Sequence, residues 1–296
     1  QFAAAMQKEL ASHAKMQTWC LVERSSVSKY RKICKSRWIF DVKRNEDGSI
    51  SKYKARFVCC GFAQSAYHDY IPQYSNTVQF STIRLLLTIA ARRGWQVHST
   101  DIATAYLYGE MEPGLNEWLE QPKGNEINGP KGEDMVCLLK KALYGTKQGA
   151  ARFETKLKTV LKDIGCTFCE ADPALAMYLF EGERLYVLSY VDDLIIVSTS
   201  QEIKDRFFTK LRAVFETTEL EPLTWCLGIS IQQNAKEKVI TMSQQLYIDD
   251  LLKRFLCPGG QDSARHKTIP CTENILKLPQ LPKESEEVDG SPNLIA

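Results

Sequence analysis

Residues 184–199, RLYVLSYVDDLIIVST, constrain the fold more than any other part of the chain. Two β-rich runs, LYVLSYV and LIIVST, flank Asp192 and Asp193 with no Gly or Pro to make the turn. Adjacent aspartates repel each other and are poor strand formers. An exposed type I turn would accommodate them, because Asp is welcome there. A cation held between them would instead remove the conflict. Upstream, residues 95–101 (WQVHSTD) alternate as a strand and deliver Asp101 to its end. Two such strands can bring three carboxylates together. Hard oxygen ligands of this kind suit Mg²⁺ or Mn²⁺ and not zinc. Two ions would clamp the attacking and leaving oxygens of a phosphoryl displacement. Three aspartates alone are a weak signal.

The basic residues add a second one. Residues 37–43 (RWIFDVK) and 53–60 (YKARFVCC) read as two strands joined by a turn at 45–48 (NEDG). Lys52, Lys54 and Arg56 alternate with Tyr53, Ala55 and Phe57, so period two puts the three cations on one face. A row of cations on a pleated surface suits a chain of phosphates; the plain alternative is a solvated strand face. The formal charge of +2 hides this asymmetry. The first hundred residues carry 16 basic and 6 acidic groups, a net of +10; the other 22 basic and 30 acidic groups leave the rest at −8. Such a basic half attracts polyanions, of which nucleic acid is the commonest.

Helical periodicity appears in residues 1–19 (Phe2, Met6, Leu10 and Ala14 inward) and 82–93 (Leu85, Leu86, Ile89 and Ala90 inward, stopped by Gly94). It recurs in 151–164 (Phe153, Leu157, Val160, Leu161 and Ile164 inward, stopped by Gly165), 201–215 and 244–255. Residues 110–132 read as a loop or flap, and 225–232 with 239–243 as a hairpin. Residues 258–296 hold five of the eleven prolines and few large apolar residues, which predicts an extended or disordered tail.

The longest apolar stretch, IRLLLTIAA at 83–91, is about half the ~18 residues a membrane helix needs. The start, QFAAAMQKEL, has no signal-peptide character and no initiator methionine, so the chain is expected to begin inside a longer or processed one. Of ten cysteines only Cys166 and Cys169 have C-x-x-C spacing, and the four histidines have no ligand spacing. Free thiols are therefore the expectation, and metal held by Cys or His is not.

Several motifs occur together and in order: YKARFVCCGF (53–62), STIRLLLTIAARRGWQVHSTDIATAYLYGEM (81–111), LLKKALYGTKQGAARF (138–153), ADPALAMY (171–178), YVLSYVDDLIIVS (186–198) and LGISI (227–231). The chain resembles in these the reverse transcriptases of copia-type long-terminal-repeat retrotransposons, from about residue 6 to 255. The resemblance implies an α+β right-hand polymerase with fingers, a palm built on an antiparallel ferredoxin-like sheet, and the start of a thumb. Residues 1–96 would be the N-terminal helix and fingers, 97–112 the first palm strand, and 113–150 a return to the fingers. Residues 151–233 would complete the palm with the YVDD hairpin and primer grip, and 234–296 would start the thumb, with no ribonuclease H.

By the same resemblance, Asp101, Asp192 and Asp193 match the catalytic metal-binding carboxylates, with the Ile102 carbonyl as a further metal ligand. Lys54 and Arg56 match cations that hold the triphosphate. Thr104 and Ala105 match amides that meet it, and Tyr106 the ring that excludes a 2′-hydroxyl. Gln148 matches a glutamine over the nucleotide. Tyr190 and Val191 would flank the template-primer; Trp225, Leu227 and Gly228 would grip the primer end. The implied partners are an RNA or DNA template-primer, deoxynucleoside triphosphates and the other polyprotein domains, ribonuclease H and integrase, with two Mg²⁺ (or Mn²⁺) ions and no membrane. The implied location is intracellular, in cytoplasmic particles and then the nucleus. Cys60 departs from the family's usual Arg or Lys, residues 149–153 (GAARF) lack a proline and tryptophan common there, and Leu119 with Glu120 replaces a tyrosine-methionine pair. A relic that binds nucleic acid without turnover is the alternative.

Overall fold

The computed structural model describes residues 1–44 and 49–255, so the expected turn at 45–48 and the proline-rich tail lie outside the described residues. The chain divides into two compact units, Gln1–Ser243 and Gln244–Ala296.

The first unit begins with α1 (Phe2–Met16), which ends where Gln17 turns left-handed at φ 51°. Trp19 therefore opens strand β1 (Trp19–Glu23) and does not extend the helix. The buried stripe of α1 also differs from the expected one, since Ala14 is exposed and His13 is buried. Short β2 (Ile33–Cys34) precedes the paired strands β3 (Ser36–Arg44) and β4 (Ile50–Cys59). Their register sets Ile39 against Arg56, Asp41 against Lys54 and Lys43 against Lys52. One face of this ribbon is thus charged. The other packs Phe40 and Tyr53 against Phe2 of α1, at ring separations of 5.0 and 4.9 Å. The alternation in the sequence is the imprint of one dry face and one wet one.

Next come α2 (Phe80–Arg93) and β5 (Gln96–Asp101). Then follow β6 (Trp118–Leu119), β7 (Met135–Leu139), α3 (Gly149–Ile164), β8 (Thr167–Phe168), β9 (Leu175–Phe180), β10 (Glu183–Tyr190) and β11 (Asp193–Ser198). After these lie α4 (Gln201–Arg212), β12 (Glu221–Pro222), β13 (Trp225–Cys226), β14 (Ile229–Asn234) and β15 (Val239–Ser243). Gly94 and Gly165 close α2 and α3 in left-handed conformation, as their positions in the sequence predict. The second unit contributes α5 (Gln245–Phe255) to the described residues.

An antiparallel sheet in the order β12-β5-β11-β10-β9-β8 forms the centre of the first unit. With α3 between β5 and β10 and α4 between β11 and β12, its β12-β5-β11-β10 part has the split βαββαβ order of a ferredoxin-like fold. The α+β expectation and its ferredoxin-like sheet are borne out. Helices α3 and α4 cover one face, where Phe153, Leu157 and Phe207 meet Leu194 and Ile196. Helix α2 and strand β14 cover the other, where Ile83, Leu86, Leu87 and Ile231 meet Ile195 and Val197. Burial on both faces is why β11 reads as an unbroken apolar run and not as an alternation. Ile196→Ala is expected to cost about 2–5 kcal/mol, read as a lower urea midpoint, because Ile196 is completely buried. On α2 the buried stripe is Ile83, Leu86, Leu87 and Ala90, while Leu85 is 60% exposed. The run Leu85-Leu86-Leu87 spans both faces, and Leu85 falls on the exposed one with Ser81, Arg84, Thr88 and Arg92.

The remaining strands form a four-stranded sheet, β1-β7-β6-β2, and a three-stranded one, β13-β14-β15. A third core of Phe57, Leu107, Leu119 and Leu143, with Cys34, Cys59 and Cys137, lies under the first of these. The expected single strand at 225–232 is broken. Leu227 (φ 49°) and Gly228 (φ 79°) form a two-residue turn between Cys226 and Ile229, and β14 then pairs with β15. The boundary expected at 233/234 therefore cuts through a hairpin that the first unit keeps whole.

Candidate active site

Three carboxylates meet at one end of the central sheet. Strand β5 ends in Asp101, and its cross-strand partner on β11 is Asp193. Asp192 lies in the two-residue turn between β10 and β11, whose closing pair is Tyr190 and Asp193. Val191, the other turn residue, sits at φ 57°. For a β-branched side chain that is a strained conformation. The missing Gly or Pro at this turn is therefore a real local cost, held in place by the sheet on both sides.

Asp101 is fixed through its backbone. Its amide donates to Thr218 Oγ1 at 2.9 Å, and its carbonyl accepts from the Thr218 amide at 2.9 Å. The Ile102 amide donates to the Asp192 carbonyl at 3.0 Å, tying the two aspartate segments together. Sequence reading missed Thr218, since nothing in TTELEPL marks a residue that closes a ladder from far along the chain.

Electrostatics follow from this crowding. Burial first, then the charges of Asp192 and Asp193, push the Asp101 carboxyl up to about 6. The Asp193 carboxyl is raised by the same two effects, burial and Asp192. Lys54 and Lys43 pull Asp101 the other way, so the charged face of the β3–β4 ribbon looks towards the aspartates. Lys54 itself is lowered, by partial burial and by Arg56 and Lys43 beside it. Asp101 and Asp193, each raised by burial and by the neighbouring carboxylates, converge with Asp192 on an oxygen donor set that fits a hard divalent ion.

Two clefts open on either side of this cluster. One, about 480 Å³, lies between Arg37, Ile39 and Arg56 of the ribbon, the Tyr106–Tyr144 pair, and Val191, Asp192 and Asp193. The other, about 400 Å³, runs from Asp101 and Thr218 to Trp225 and Leu227. Tyr190 and Asp193 line both.

Around the first cleft, Thr104 at φ 52° starts a one-turn 3-10 helix, Ala105–Tyr108, that presents Tyr106 while Ala105 is fully buried. The Tyr106 and Tyr144 rings are 4.4 Å apart at 42°, and the Arg56 guanidinium lies 5.9 Å from the Tyr144 ring. Burial, then Asp192, raises the Tyr144 hydroxyl. Arg37 and Tyr144 are cleft residues that sequence reading did not single out. Gln148 stands apart from these residues. It does not line the cleft but is buried, donating to Glu117 Oε2 at 2.8 Å and accepting from Gln64 at 3.0 Å. The Glu117 carboxyl, buried and with no Lys or Arg beside it among the described residues, accepts from the amide that was expected over the nucleotide.

At the second cleft Trp225 and Leu227 are 48% and 37% exposed, an uncommon posture for large apolar side chains at a turn. Gly228 owes its place to its positive φ, since no atom lies within 4 Å of where a Cβ would stand.

A family described as reverse transcriptase (RNA-dependent DNA polymerase) matches residues 16–271. The chain belongs to that family. This reverse transcriptase chain is 33% identical over 256 residues to a retrovirus-related Pol polyprotein from transposon TNT 1-94 of Nicotiana tabacum. It is 32% identical over 250 residues to that of transposon RE2 of Arabidopsis thaliana. The alignments take in 86% and 84% of the chain but only 19% and 17% of those polyproteins. The resemblance to copia-type reverse transcriptases is borne out. Among solved structures, a foamy viral protease-reverse transcriptase in complex with double-stranded DNA aligns with 86% of this chain and 37% of its own, at 15% identity and a TM-score of 0.48, too loose a likeness to argue from. Among the described residues no helix is long and apolar enough to cross a membrane.

Proposed function

We propose that this reverse transcriptase domain adds deoxynucleotides to a primer 3′-hydroxyl on an RNA or DNA template. The observation that carries the reading is the meeting of Asp101, Asp192 and Asp193 between two clefts, with a cationic ribbon facing them. The three carboxylates, with the Ile102 carbonyl, would hold two Mg²⁺ or Mn²⁺ ions. Bound there, such ions lower the pKa of the attacking hydroxyl and neutralise the triphosphate. Arg56, with Arg37 beside it and Lys54 further along the ribbon, attracts and orients the triphosphate as it enters the 480 Å³ cleft. The backbone at Thr104 and Ala105 supplies the turn against which it rests. Tyr106, backed by Tyr144, fills the space a 2′-hydroxyl would need. Gln148 acts at one remove, as a positioning residue under this pocket. Across the aspartates, Trp225, Leu227 and Gly228 hold the primer end in the 400 Å³ cleft, and Tyr190 and Val191 form the ridge between primer and nucleotide.

In hand terms, residues 1–96 and 113–150 supply the fingers, 97–112 and the chain from 151 through the β14–β15 hairpin the palm, and the chain beyond it the start of a thumb. Ribonuclease H and integrase domains of a Pol polyprotein would be its natural neighbours, and cytoplasmic particles, then the nucleus, its place of work.

Primer extension on an RNA template with Mg²⁺ or Mn²⁺ tests the proposal. Extension by the purified chain is expected; salt-sensitive duplex binding with no extension would favour the nucleic-acid-binding relic instead. Tyr106→Ala is expected to reduce discrimination against ribonucleotides roughly 10- to 100-fold, about 1–3 kcal/mol, measured as the ratio of kcat/KM for the two sugars. Unchanged discrimination would remove Tyr106 from that role.

A further inference from the structure

Behind the nucleotide-side cleft, three segments distant in sequence bring Cys34, Cys59 and Glu117 together. One ligand atom from each lies within 4.8 Å of the others. All three residues are sealed from solvent, at 1%, 3% and 2% exposure, and both cysteines are free thiols. Cys59 Sγ is 3.8 Å from Glu117 Oε1, and the Cys34 sulfur lies within 4.8 Å of both. Ligands of one tetrahedral zinc, with Zn–S of about 2.3 Å and Zn–O of about 2.1 Å, stand about 3.6–3.8 Å apart. Cys59 Sγ and Glu117 Oε1 already stand at that spacing, and Cys34 is within 4.8 Å of both.

We propose that Cys34, Cys59 and Glu117 form a zinc site, separate from the aspartate cluster, with three protein ligands and the fourth position left to a small ligand such as water. Soft thiolates select zinc over the hard ions suited to the aspartates. The surroundings are those of a built site. Gln64 Nε2 donates to Glu117 Oε1 at 2.8 Å and Gln148 Nε2 to Oε2 at 2.8 Å, fixing the carboxylate as outer-shell donors do around a metal ligand. Among the described residues no lysine or arginine pairs with Glu117, so a bound cation supplies the charge that its burial lacks. Binding releases the two thiol protons to solvent, and occupancy rises with pH. Local spacing rules could not reveal the site, because Cys34, Cys59 and Glu117 come from β2, β4 and the approach to β6. Since Cys59 also lines the cleft beside Tyr144, metal at this position braces the floor of the nucleotide pocket.

Co²⁺ titration of the metal-stripped chain tests the site, with thiolate-to-cobalt charge-transfer absorption as the signal. One equivalent is expected to saturate the band. Cys34→Ser and Cys59→Ser are expected to abolish it, and Gln64→Ala to weaken Co²⁺ binding about 10- to 100-fold. Exposed Cys20→Ser and the distant Asp192→Asn are expected to leave it intact. No band in the wild-type chain, or a band that survives the Cys34→Ser/Cys59→Ser double change, overturns the proposal. A second reading needs no variant: Zn²⁺ should slow alkylation of Cys34 and Cys59 while Cys20 labels at an unchanged rate, and equal rates at all three with and without Zn²⁺ refute it.

Discussion

Asp101→Asn is expected to stabilise the metal-free protein while reducing primer extension at least about 10²–10³-fold. The two effects have one origin. In the folded chain the Asp101 carboxyl is held at about 6, against an ordinary 3.8, by burial and by Asp192 and Asp193. Between roughly pH 4 and 6 the folded state therefore keeps a proton that the unfolded chain has released. Stability falls as pH rises through that window, and the loss persists above it. At pH 7, removing the charge is expected to return about 1–3 kcal/mol, after allowance for solvent screening. Thermal melts at pH 5 and pH 7 check this: the parent chain loses stability between the two and the Asp101→Asn variant loses less. Adding Mg²⁺ at pH 7 is expected to stabilise the parent and leave the variant nearly unmoved. A variant that still extends primers, or one that melts lower than the parent at pH 7, would contradict the assignment.

Gly145→Ala is expected to destabilise the chain by about 3–6 kcal/mol, combining left-handed strain with overpacking. Gly145 has φ 87°, and a Cβ there would overlap the Cys59 carbonyl oxygen, which belongs to strand backbone and cannot swing aside. Gly61 faces the same contact from the other side, with its own Cβ position against the Gly145 carbonyl. The Cys59 amide meanwhile donates to the Tyr144 carbonyl at 2.8 Å. Two backbones thus lie against each other directly beneath Tyr144, with no room for a methyl group. Gly94→Ala is the control, since Gly94 is left-handed at φ 69° with no neighbour within 4 Å, and is expected to cost only about 1–2 kcal/mol. Equal costs at the two positions, read from urea midpoints, would deny the close approach any role.

The parts of the site that can be read from the sequence are those written in consecutive residues. Asp192 and Asp193 declare themselves by interrupting an apolar hairpin, Asp101 by ending an alternating strand, and Lys54 and Arg56 by period two. The doubly buried β11 and the glycine stops of α2 and α3 are legible for the same local reason. What escapes depends on partners far away. Thr218 matters because it closes a ladder with Asp101, and Gln148 turns inward to donate to the buried Glu117 carboxylate, 31 residues earlier. Leu85 is misplaced by periodicity because the run Leu85-Leu86-Leu87 spans both faces of α2. The break at Leu227–Gly228 is hidden by β-forming neighbours that pair with each other across it.

The position of the aspartates within the sheet also sets a timescale. Strand β11 is flanked on both edges, by β5 and β10, and covered on both faces. Its amides are therefore expected to exchange with solvent only when the whole unit opens, the slowest class of event in a folded chain. The β3–β4 ribbon is a two-stranded pair with a single packed face, and its amides are expected to exchange through smaller, faster openings. The chemistry would then be held on the slow part of the molecule while the cations that meet the nucleotide move on the fast part, so that substrate can come and go without disturbing the atoms that react.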